Sequence, residues 1–310
     1  MLISVIIPTH NPDPGRLSRT LAGLNAQTLP VDQWETLVVD NASAPPVNLA
    51  DFAAAPANAR VISEPALGLA AARRRGFTEA TGEFVVLVDD DNVLAPDYLA
   101  NVLTLFSAHS RVGLAGGRSL PEFGAAPPSW VAEFFPLLAL RDPGPEPQIS
   151  AGLRQAVTGR NDYPAFAPIG AGMALRRGAW TAWLRAQGGG APALTDRRGD
   201  ELSSSGDNDI VLCAMRAGWE VGYFPSLALT HLIPASRVDP AYLARLNYGI
   251  QKSWMQVLSL HAANPWPPLS RAGASARKIK AWFTYRAWSS LAARIRWEGA
   301  CGHFEGRVPL

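Results

Sequence analysis

Cysteine is scarce in this sequence. Its 310 residues include two cysteines, Cys213 and Cys301, which lie far apart in the chain. Two isolated cysteines provide neither a disulfide framework nor the closely spaced pair of a CxxC metal site. Both of these classes are therefore excluded, and we expect the protein in a reducing compartment, the cytoplasm.

Long apolar runs and an excess of charge are also absent. No stretch reaches the roughly 18 apolar residues that a membrane-spanning helix needs. The chain starts directly with a strand-like run, residues 2–7, so we expect no signal peptide. The net charge of +2 is too small to predict nucleic acid as a partner. The hydrophobic share of 48% is ordinary for a soluble globular protein with a sizeable core.

The glycine-rich loops of common nucleotide-binding enzymes are missing as well. A dehydrogenase on a doubly wound sheet needs G-x-G-x-x-G after its first strand, but here that strand leads into Thr9-His10-Asn11-Pro12. The P-loop motif G-x-x-x-x-G-K-[ST] does not occur. Residues 8–16 also lack the Gly-rich, Arg-containing loop of a sugar-nucleotide pyrophosphorylase. These three enzyme classes are therefore excluded.

Apolar runs that are typical of strands alternate with segments of helical spacing in the first 117 residues. This alternation predicts βαβ units, and hence an α/β fold with a mostly parallel sheet flanked by helices. The predicted strands are residues 2–7, 35–39, 59–62, 84–88 and 112–115, and the predicted helices are 14–27, 67–80 and 96–108.

Prolines interrupt the pattern between residues 118 and 168. A long irregular segment of this kind is typical of a functional lid, and a plain surface excursion is the alternative. Beyond it, the pattern predicts a strand at 171–175, a helix at 207–217, strands at 219–224 and 227–230, and helices from residue 240 onwards.

Three adjacent carboxylic acids, Asp89, Asp90 and Asp91, follow directly on the apolar run 84–88. Carboxylates packed this closely repel one another, and they lose hydration where a buried strand emerges. A hard cation such as Mg²⁺ or Mn²⁺, which prefers oxygen ligands, would relieve both costs. The triplet therefore favours a metal site over a solvated acidic turn.

Polar groups also follow other apolar runs. They occur at residues 8–11, at 40–43, and at the start of the helix that carries Asp207 and Asp209. In an open parallel sheet, the carboxyl ends of the strands line one crevice where ligands bind. We therefore expect these distant segments to converge with the acidic triplet.

Taken in order, these motifs resemble the family 2 inverting glycosyltransferases of the GT-A fold. The resemblance covers residues 2–233. It rests on SVIIPTHN at 4–11, VVDNAS at 38–43, GLAAAR at 68–73, LVDDD at 87–91, GDNDI at 206–210, and His231. It implies a nucleotide-diphosphate-sugar donor, first of all a UDP-sugar, and Mn²⁺ or Mg²⁺. It also implies a glycan, lipid-linked or small-molecule hydroxyl acceptor, and a role in glycan or cell-envelope polysaccharide synthesis.

The resemblance also implies roles for individual residues. Asp40 would accept a hydrogen bond from the base, and Arg73 would meet the base or the diphosphate. The metal would be held by Asp91, with Asp89 and His231 in support. The full set implied for the donor is Pro8, Thr9, Asn11, Asp40, Arg73, Asp89 and Asp90.

Inversion requires one general base to take the proton of the acceptor hydroxyl. Asp207 occupies the position of the family base, and Asp209 is the alternative. The family has Glu where this chain has Gly206. Because Asp at a helix start is also a favoured cap, both residues have a structural alternative. The departure at Gly206 is the one point in favour of a non-catalytic sugar-binding, nucleotide-binding or scaffold protein on this fold.

We predict a catalytic domain at residues 1–235, with a nucleotide-binding half (1–117) and an acceptor half (118–235), followed by a helical extension (236–310). Residues 271–297 are basic, with Trp282, Tyr285, Trp288, Ala292 and Ile295 at helical spacing. Such a helix would either pack its aromatic stripe on the catalytic domain or contact an anionic membrane surface. The second interpretation would place the protein at the inner face of the membrane.

Overall fold

The computed structural model describes residues 1–150, 163–188, 202 and 204–309. Within them, nine strands form one sheet. The strands are β1 (Ile3–Thr9), β2 (Trp34–Asp40), β3 (Ala59–Ser63), β4 (Phe84–Leu87), β5 (Asn92–Leu94), β6 (Val112–Phe123), β7 (Gln148–Ser150), β8 (Ala174–Arg176) and β9 (Glu220–Ile233). Their order is β3-β2-β1-β4-β8-β6-β9-β5, and β7 also pairs with β9.

Helices cover both faces of the sheet. They are α1 (Pro14–Asn25), α2 (Leu69–Glu79), α3 (Tyr98–Ala108), α4 (Arg177–Ala186), α5 (Gly206–Arg216), α6 (Pro240–Leu260), α7 (Arg271–Thr284) and α8 (Leu291–Gly306). Every residue of β1 and β2 is buried, as expected for strands with helices on both sides. The predicted α/β fold with a helical C-terminal region is confirmed.

The first half of the sheet is parallel. β1 pairs in parallel with β2 and β4, and β2 with β3. Their carboxyl ends therefore meet at one edge, where Thr9 lies directly beside Asp40. In the second half, β6 and β9 are parallel, whereas β5, β7 and β8 join as short antiparallel strands. The prediction of a mostly parallel sheet thus holds for β1 to β4 and gives way to a mixed sheet beyond them.

The proline-rich segment 118–168 contains more regular structure than its sequence indicates. Strand β6 continues to Phe123 and pairs with β9 along residues 228–233. A 3₁₀ segment at Ser129–Leu138, hereafter the wall segment, follows it. Residues 151–162 lie outside the described residues. β9 is one long strand where two were predicted.

The C-terminal helices share a hydrophobic core with the wall segment. Val131 and Phe134 of that segment pack in one cluster with Leu243 and Leu246 of α6 and Ile295 of α8. The division of the chain at residue 235 therefore runs through a common core, and it remains a prediction.

The single helix predicted at 271–297 is wrong. α7 ends at Thr284, and α8 begins at Leu291. Ser290 caps the start of α8, because its hydroxyl accepts a hydrogen bond from the amide of Ala293. Between them Arg286 adopts a positive φ of 50°. Across the described residues, we find no helix with both the length and the apolar character needed to cross a bilayer.

Candidate active site

A cavity of about 360 Å³ opens at the carboxyl ends of β1, β2 and β4. Its lining joins segments that are far apart in sequence, as the pattern of strand ends predicts. The polar and charged side chains that line it are Thr9, His10, Asn41, Arg73, Asp89, Asp90, Asp91, Ser204, Asp207, Asn208, His231 and Arg237.

Asp90 lies at the centre of the acidic triplet. The hydroxyl of Thr9 donates a hydrogen bond to its carboxylate, so the ends of β1 and β4 are joined directly. Burial, followed by the neighbouring Asp91 and Asp89, raises the pKa of Asp90 to about 7, although the Thr9 hydrogen bond and Arg237 act in the opposite direction. The strand end therefore carries the crowded negative charge that its sequence indicates.

Asp91 and His231 form a buried pair. Strand pairing sets Asn92 opposite His231, and the Nε2 atom of His231 lies 3.3 Å from the Oδ1 atom of Asp91. The Nδ1 atom of His231 is buried, and it has no hydrogen-bond partner in the described part of the chain. A buried ring nitrogen without a protein partner is unusual. A carboxylate and an imidazole in contact are ligands that a divalent cation accepts. Arg237 is a cationic neighbour of the same carboxylate, with its Nη2 atom 3.9 Å from the Oδ2 atom of Asp91.

Asp89 does not complete a three-residue metal set with that pair. Among the described residues, the one trio of His, Cys, Asp or Glu with ligand atoms within 4.8 Å of one another lies elsewhere, at Asp209, Cys213 and His261. A tight turn explains the separation, because the amide of Asn92 donates to the carbonyl of Asp89 at 3.0 Å. Asp89 lies beside Asp91 and His231 in the cavity lining, and the set of these three residues as metal ligands remains a prediction.

Arg73 reaches the cavity from α2. It is only 4% exposed, and its guanidinium lies against the backbone of Gly170. A Cβ atom at residue 170 would stand 2.3 Å from the Nη2 atom of Arg73. The absence of a side chain at Gly170 therefore leaves space for the guanidinium group of Arg73 in the lining of the cavity.

Asp40 and Asn11 lie behind the lining and organise the loops after β1 and β2. The carboxylate of Asp40 accepts hydrogen bonds from the amides of Ser43 at 3.1 Å and Val47 at 3.0 Å. The Oδ1 atom of Asn11 accepts from the amide of Ala44 at 2.9 Å. Neither residue is part of the cavity lining. Their predicted contacts with the donor remain predictions.

Asn41 is a lining residue that the sequence did not single out. It follows β2 directly and lines the cavity. Its amide group ties the loop after β2 to the start of α2. Its Oδ1 atom accepts from the amide of Gly68 at 2.7 Å, and its Nδ2 atom donates to the carbonyls of Glu64 and Ala66. Its position directly after Asp40 was the available indication.

Asp207 faces the cavity from the first turn of α5. Its Oδ2 atom accepts a hydrogen bond from the amide of Gly170 at 3.0 Å, and its Oδ1 atom accepts from the amide of Asn208 at 2.9 Å. The side chain of Asn208 donates to the hydroxyl of Tyr163 at 2.7 Å. Burial and the nearby Asp207 raise the pKa of Tyr163, so this phenol stays protonated. The carboxylate of Asp207 is therefore held in one orientation toward the cavity.

Asp209 lies on the opposite, buried side of α5, so the structure does not bring the alternative base to the site. Its Oδ2 atom accepts from the indole of Trp183 at 2.7 Å and from Gln187 at 2.9 Å, and its Oδ1 atom lies 2.7 Å from Nε2 of His261. Burial, together with Asp209, raises the pKa of the adjacent Cys213 to about 12. Asp209 is committed to internal hydrogen bonds.

The wall segment contributes apolar side chains to the cavity. Pro136, Leu137 and Leu138 line it, and Ile250 of α6 extends this apolar surface. A lid or a surface excursion was predicted for this segment. Its aromatic residues Trp130, Phe134 and Phe135 pack in the cluster that it shares with α6 and α8.

The chain that carries this cavity matches one known protein family. The model of glycosyl transferase family 2 matches residues 4–178, which is more than half of the chain. The chain belongs to glycosyl transferase family 2. The family predicted from the motifs is confirmed, and with it the class of enzyme.

Individual relatives match shorter stretches. The succinoglycan biosynthesis protein ExoW of Rhizobium meliloti is 36% identical over 116 residues, 34% of this chain and 35% of its own length. The O-antigen biosynthesis protein RfbC of Myxococcus xanthus is 31% identical over 143 residues, 42% of this chain and 11% of its own length. The chain thus spans at most about a third of the curated relatives it matches.

The fold is also found in a solved structure. The crystal structure of GalNAc-T7 with UDP, GalNAc and Mn²⁺ is similar over 98% of this chain and 55% of that protein's chain, with a TM-score of 0.57 and 15% sequence identity. At this level of identity the similarity establishes the architecture alone, and it agrees with the GT-A type fold predicted from the motifs.

Proposed function

We propose that this protein transfers a sugar from a nucleotide-diphosphate sugar, first of all a UDP-sugar, to a hydroxyl acceptor with inversion. One observation carries the proposal: Asp207, Arg73 and the Asp91–His231 pair line the same cavity although they come from four distant segments. They supply a candidate base, a cation for the diphosphate, and two ligands for a divalent metal.

The donor would lie along the strand ends. Arg73 and Arg237 both line the cavity, and a guanidinium suits the oxygens of a diphosphate. Asp91 and His231 would hold Mn²⁺ or Mg²⁺, which supplies Lewis-acid stabilisation of the departing diphosphate when bound. Thr9 and Asn41 would contact the nucleoside side, with Asp40 behind them to fix the loop.

Asp207 would act as the general base. Inversion by a single displacement requires one carboxylate that reaches the acceptor hydroxyl and takes its proton. The hydrogen bonds from the amides of Gly170 and Asn208 fix the orientation of this carboxylate, and such fixed positioning is a main source of catalytic rate. A carboxylate in this position favours an enzyme over a non-catalytic sugar-binding, nucleotide-binding or scaffold protein. The one indication of such a protein was Gly206, which stands where the family has Glu.

The acceptor would be a glycan, a lipid-linked sugar or a small molecule with a free hydroxyl group. The matched relatives are named for succinoglycan and O-antigen biosynthesis. We therefore propose a role in polysaccharide synthesis. We also propose that the protein works in the cytoplasm. The apolar residues of the wall segment, which line the same cavity as Asp207, would contact this second substrate.

Calorimetric titration with UDP tests the donor half of the proposal. We expect wild-type protein to bind UDP at least about tenfold more tightly with Mn²⁺ than without it, because Asp91 and His231 would hold a cation that favours the negatively charged diphosphate. Asp91→Ala should lose this metal dependence. Asp32→Ala, which removes an exposed carboxylate outside the cavity lining, is the matched control and should retain it. Wild-type binding of UDP that is indifferent to Mn²⁺ would contradict the metal role.

A further inference from the structure

The connection between α7 and α8 exposes a group of large apolar side chains. Ile279 and Phe283 are each 64% exposed, Trp288 is 57% exposed, Leu291 is 54% exposed and Tyr285 is 41% exposed. These five residues, hereafter the aromatic tip, fall within thirteen positions of the chain. Exposed apolar groups this concentrated usually mark a surface that contacts something else.

The aromatic tip adjoins a part of the stripe that packs inward, and Trp288 joins the two, with its ring centroid 6.3 Å from that of Trp282. Trp282 contacts Trp297 edge to face, with ring centroids 4.8 Å apart, and Ile295 is 1% exposed. By contrast, Phe283 contacts Trp288 on the outside, with ring centroids 5.9 Å apart. The predicted stripe is thus divided between internal packing and solvent.

All charged side chains in the sequence segment that carries the aromatic tip are positive. Residues 271–297 contain seven Lys and Arg residues and no Asp or Glu. Lys278, Arg294 and Arg296 form ion pairs with glutamates elsewhere in the chain. Lys280 and Arg286 are exposed next to the tip, and neither forms a salt bridge within the part of the chain that the structure describes. The tip therefore presents apolar groups flanked by positive charge.

We propose that the aromatic tip binds an anionic phospholipid surface. Trp and Tyr side chains prefer the boundary between headgroups and acyl chains, and Lys and Arg can keep their charge at the headgroups while their stems lie along apolar surface. Each basic residue near an anionic bilayer adds to binding. A second copy of the chain is a poorer partner, since two tips would bring Lys280 and Arg286 against like charges.

The tip is firmly joined to the cavity. Arg296 of α8 forms a two-bond ion pair with Glu133 of the wall segment, and Ile295 shares its core with Val131 and Phe134. A bilayer bound at the aromatic tip would therefore be held in a fixed relation to the wall of the cavity. The proposal itself rests on the exposed surface and does not depend on the proposed enzymatic activity.

Co-sedimentation with vesicles tests this proposal. Two preparations serve as probes, phosphatidylcholine alone and phosphatidylcholine mixed with an equal part of phosphatidylglycerol. We expect the 310-residue chain to sediment with the mixed vesicles and to stay in solution with phosphatidylcholine alone. Phe283→Ala/Trp288→Ala and, separately, Lys280→Glu/Arg286→Glu should each weaken binding at least about tenfold, with circular dichroism spectra unchanged.

Two matched controls keep the result specific. Lys280→Arg/Arg286→Lys retains the charge and should bind as the wild type does. Trp266→Ala removes a tryptophan that is 41% exposed before the start of α7, and it should also bind normally. Equal sedimentation of wild type and the Phe283→Ala/Trp288→Ala variant would overturn the proposal. So would a lipid-independent dimer in light scattering that the same variant abolishes.

Discussion

Helix α5 carries two carboxylates that differ in almost every respect. Asp207 lines the cavity and accepts hydrogen bonds from two backbone amides. Asp209 is 4% exposed and accepts hydrogen bonds from the side chains of Trp183, Gln187 and His261, with the thiol of Cys213 as a fourth neighbour. Residues two positions apart on an α-helix point to nearly opposite sides. One carboxylate therefore serves the site, and the other holds the helix in place.

This difference shows how the fold positions the proposed base. The first turn of α5 can present Asp207 reproducibly because its other side is anchored to α4 and to the end of α6 through Asp209. His261 at the end of α6 is itself held, since Arg216 of α5 donates to its carbonyl oxygen. The buried side should govern stability, and the cavity side should govern turnover and binding.

The largest effect on stability is expected for Asp209→Ala. This change leaves the Nε1–H group of Trp183 and the Nε2–H group of His261 buried without their acceptor, and hydrogen bonds to a charged group are among the stronger ones. We expect the free energy of unfolding to fall by about 3 kcal/mol, measured by urea denaturation. For Asp207→Ala, the free energy of unfolding should fall by less than half as much. Equal losses for the two variants would erase the distinction between the two sides.

A smaller loss is expected for Trp183→Phe, which removes one of the donors to Asp209 and leaves most of the aromatic contact with Phe77. One lost hydrogen bond to a carboxylate and a partly filled space should lower the free energy of unfolding by about 2 kcal/mol. Thermal denaturation measures this change. Trp266→Phe, the same change at a tryptophan that is 41% exposed, is the matched control and should cost less than about 1 kcal/mol. A neutral Trp183→Phe would show that Asp209 does not depend on the indole.

The smallest change in stability is expected on the cavity side, for Gly170→Ala. The new Cβ atom would displace the guanidinium of Arg73 and leave the fold intact, with a cost within about 1 kcal/mol. Affinity for UDP should fall about fivefold, because one charge-assisted contact is misplaced. Gly124→Ala is the matched control, since its Cβ atom would meet ordinary contacts at 3.7 Å. Unchanged affinity in Gly170→Ala would remove Arg73 from the donor site.

Much of the parallel half of the fold could be predicted from sequence because its signals are local. The buried strands β1, β2 and β4 are continuous apolar runs, and their polar ends meet because parallel strands share one edge. The start of α5 was also correct to one residue, at Gly206 rather than Asp207. The convergence of Thr9, Asp90 and Asp207 in one cavity follows from this topology.

The remaining features depend on partners that no local pattern shows. Strand β6 runs through Pro121, where it pairs with β9. Proline has no N–H to donate to a second neighbouring strand, and β8 pairs with β6 only at Leu114 and Ala115. The break between α7 and α8 falls at Arg286, which adopts a positive φ although it is not a glycine, so no glycine in the sequence marks the break. Asp209 could be assigned to the buried side only once Trp183 and His261, from distant segments, lay beside it.

The rate of sugar transfer by Asp207→Asn tests the central claim most directly. The asparagine keeps the shape and can still accept the hydrogen bond from Gly170, but it cannot take a proton from the acceptor. We expect the rate with a UDP-sugar and Mn²⁺ to fall by about 10²–10⁴-fold, while calorimetric affinity for UDP stays within about twofold of wild type. A variant that transfers sugar at the wild-type rate would contradict the assignment of Asp207 as the base.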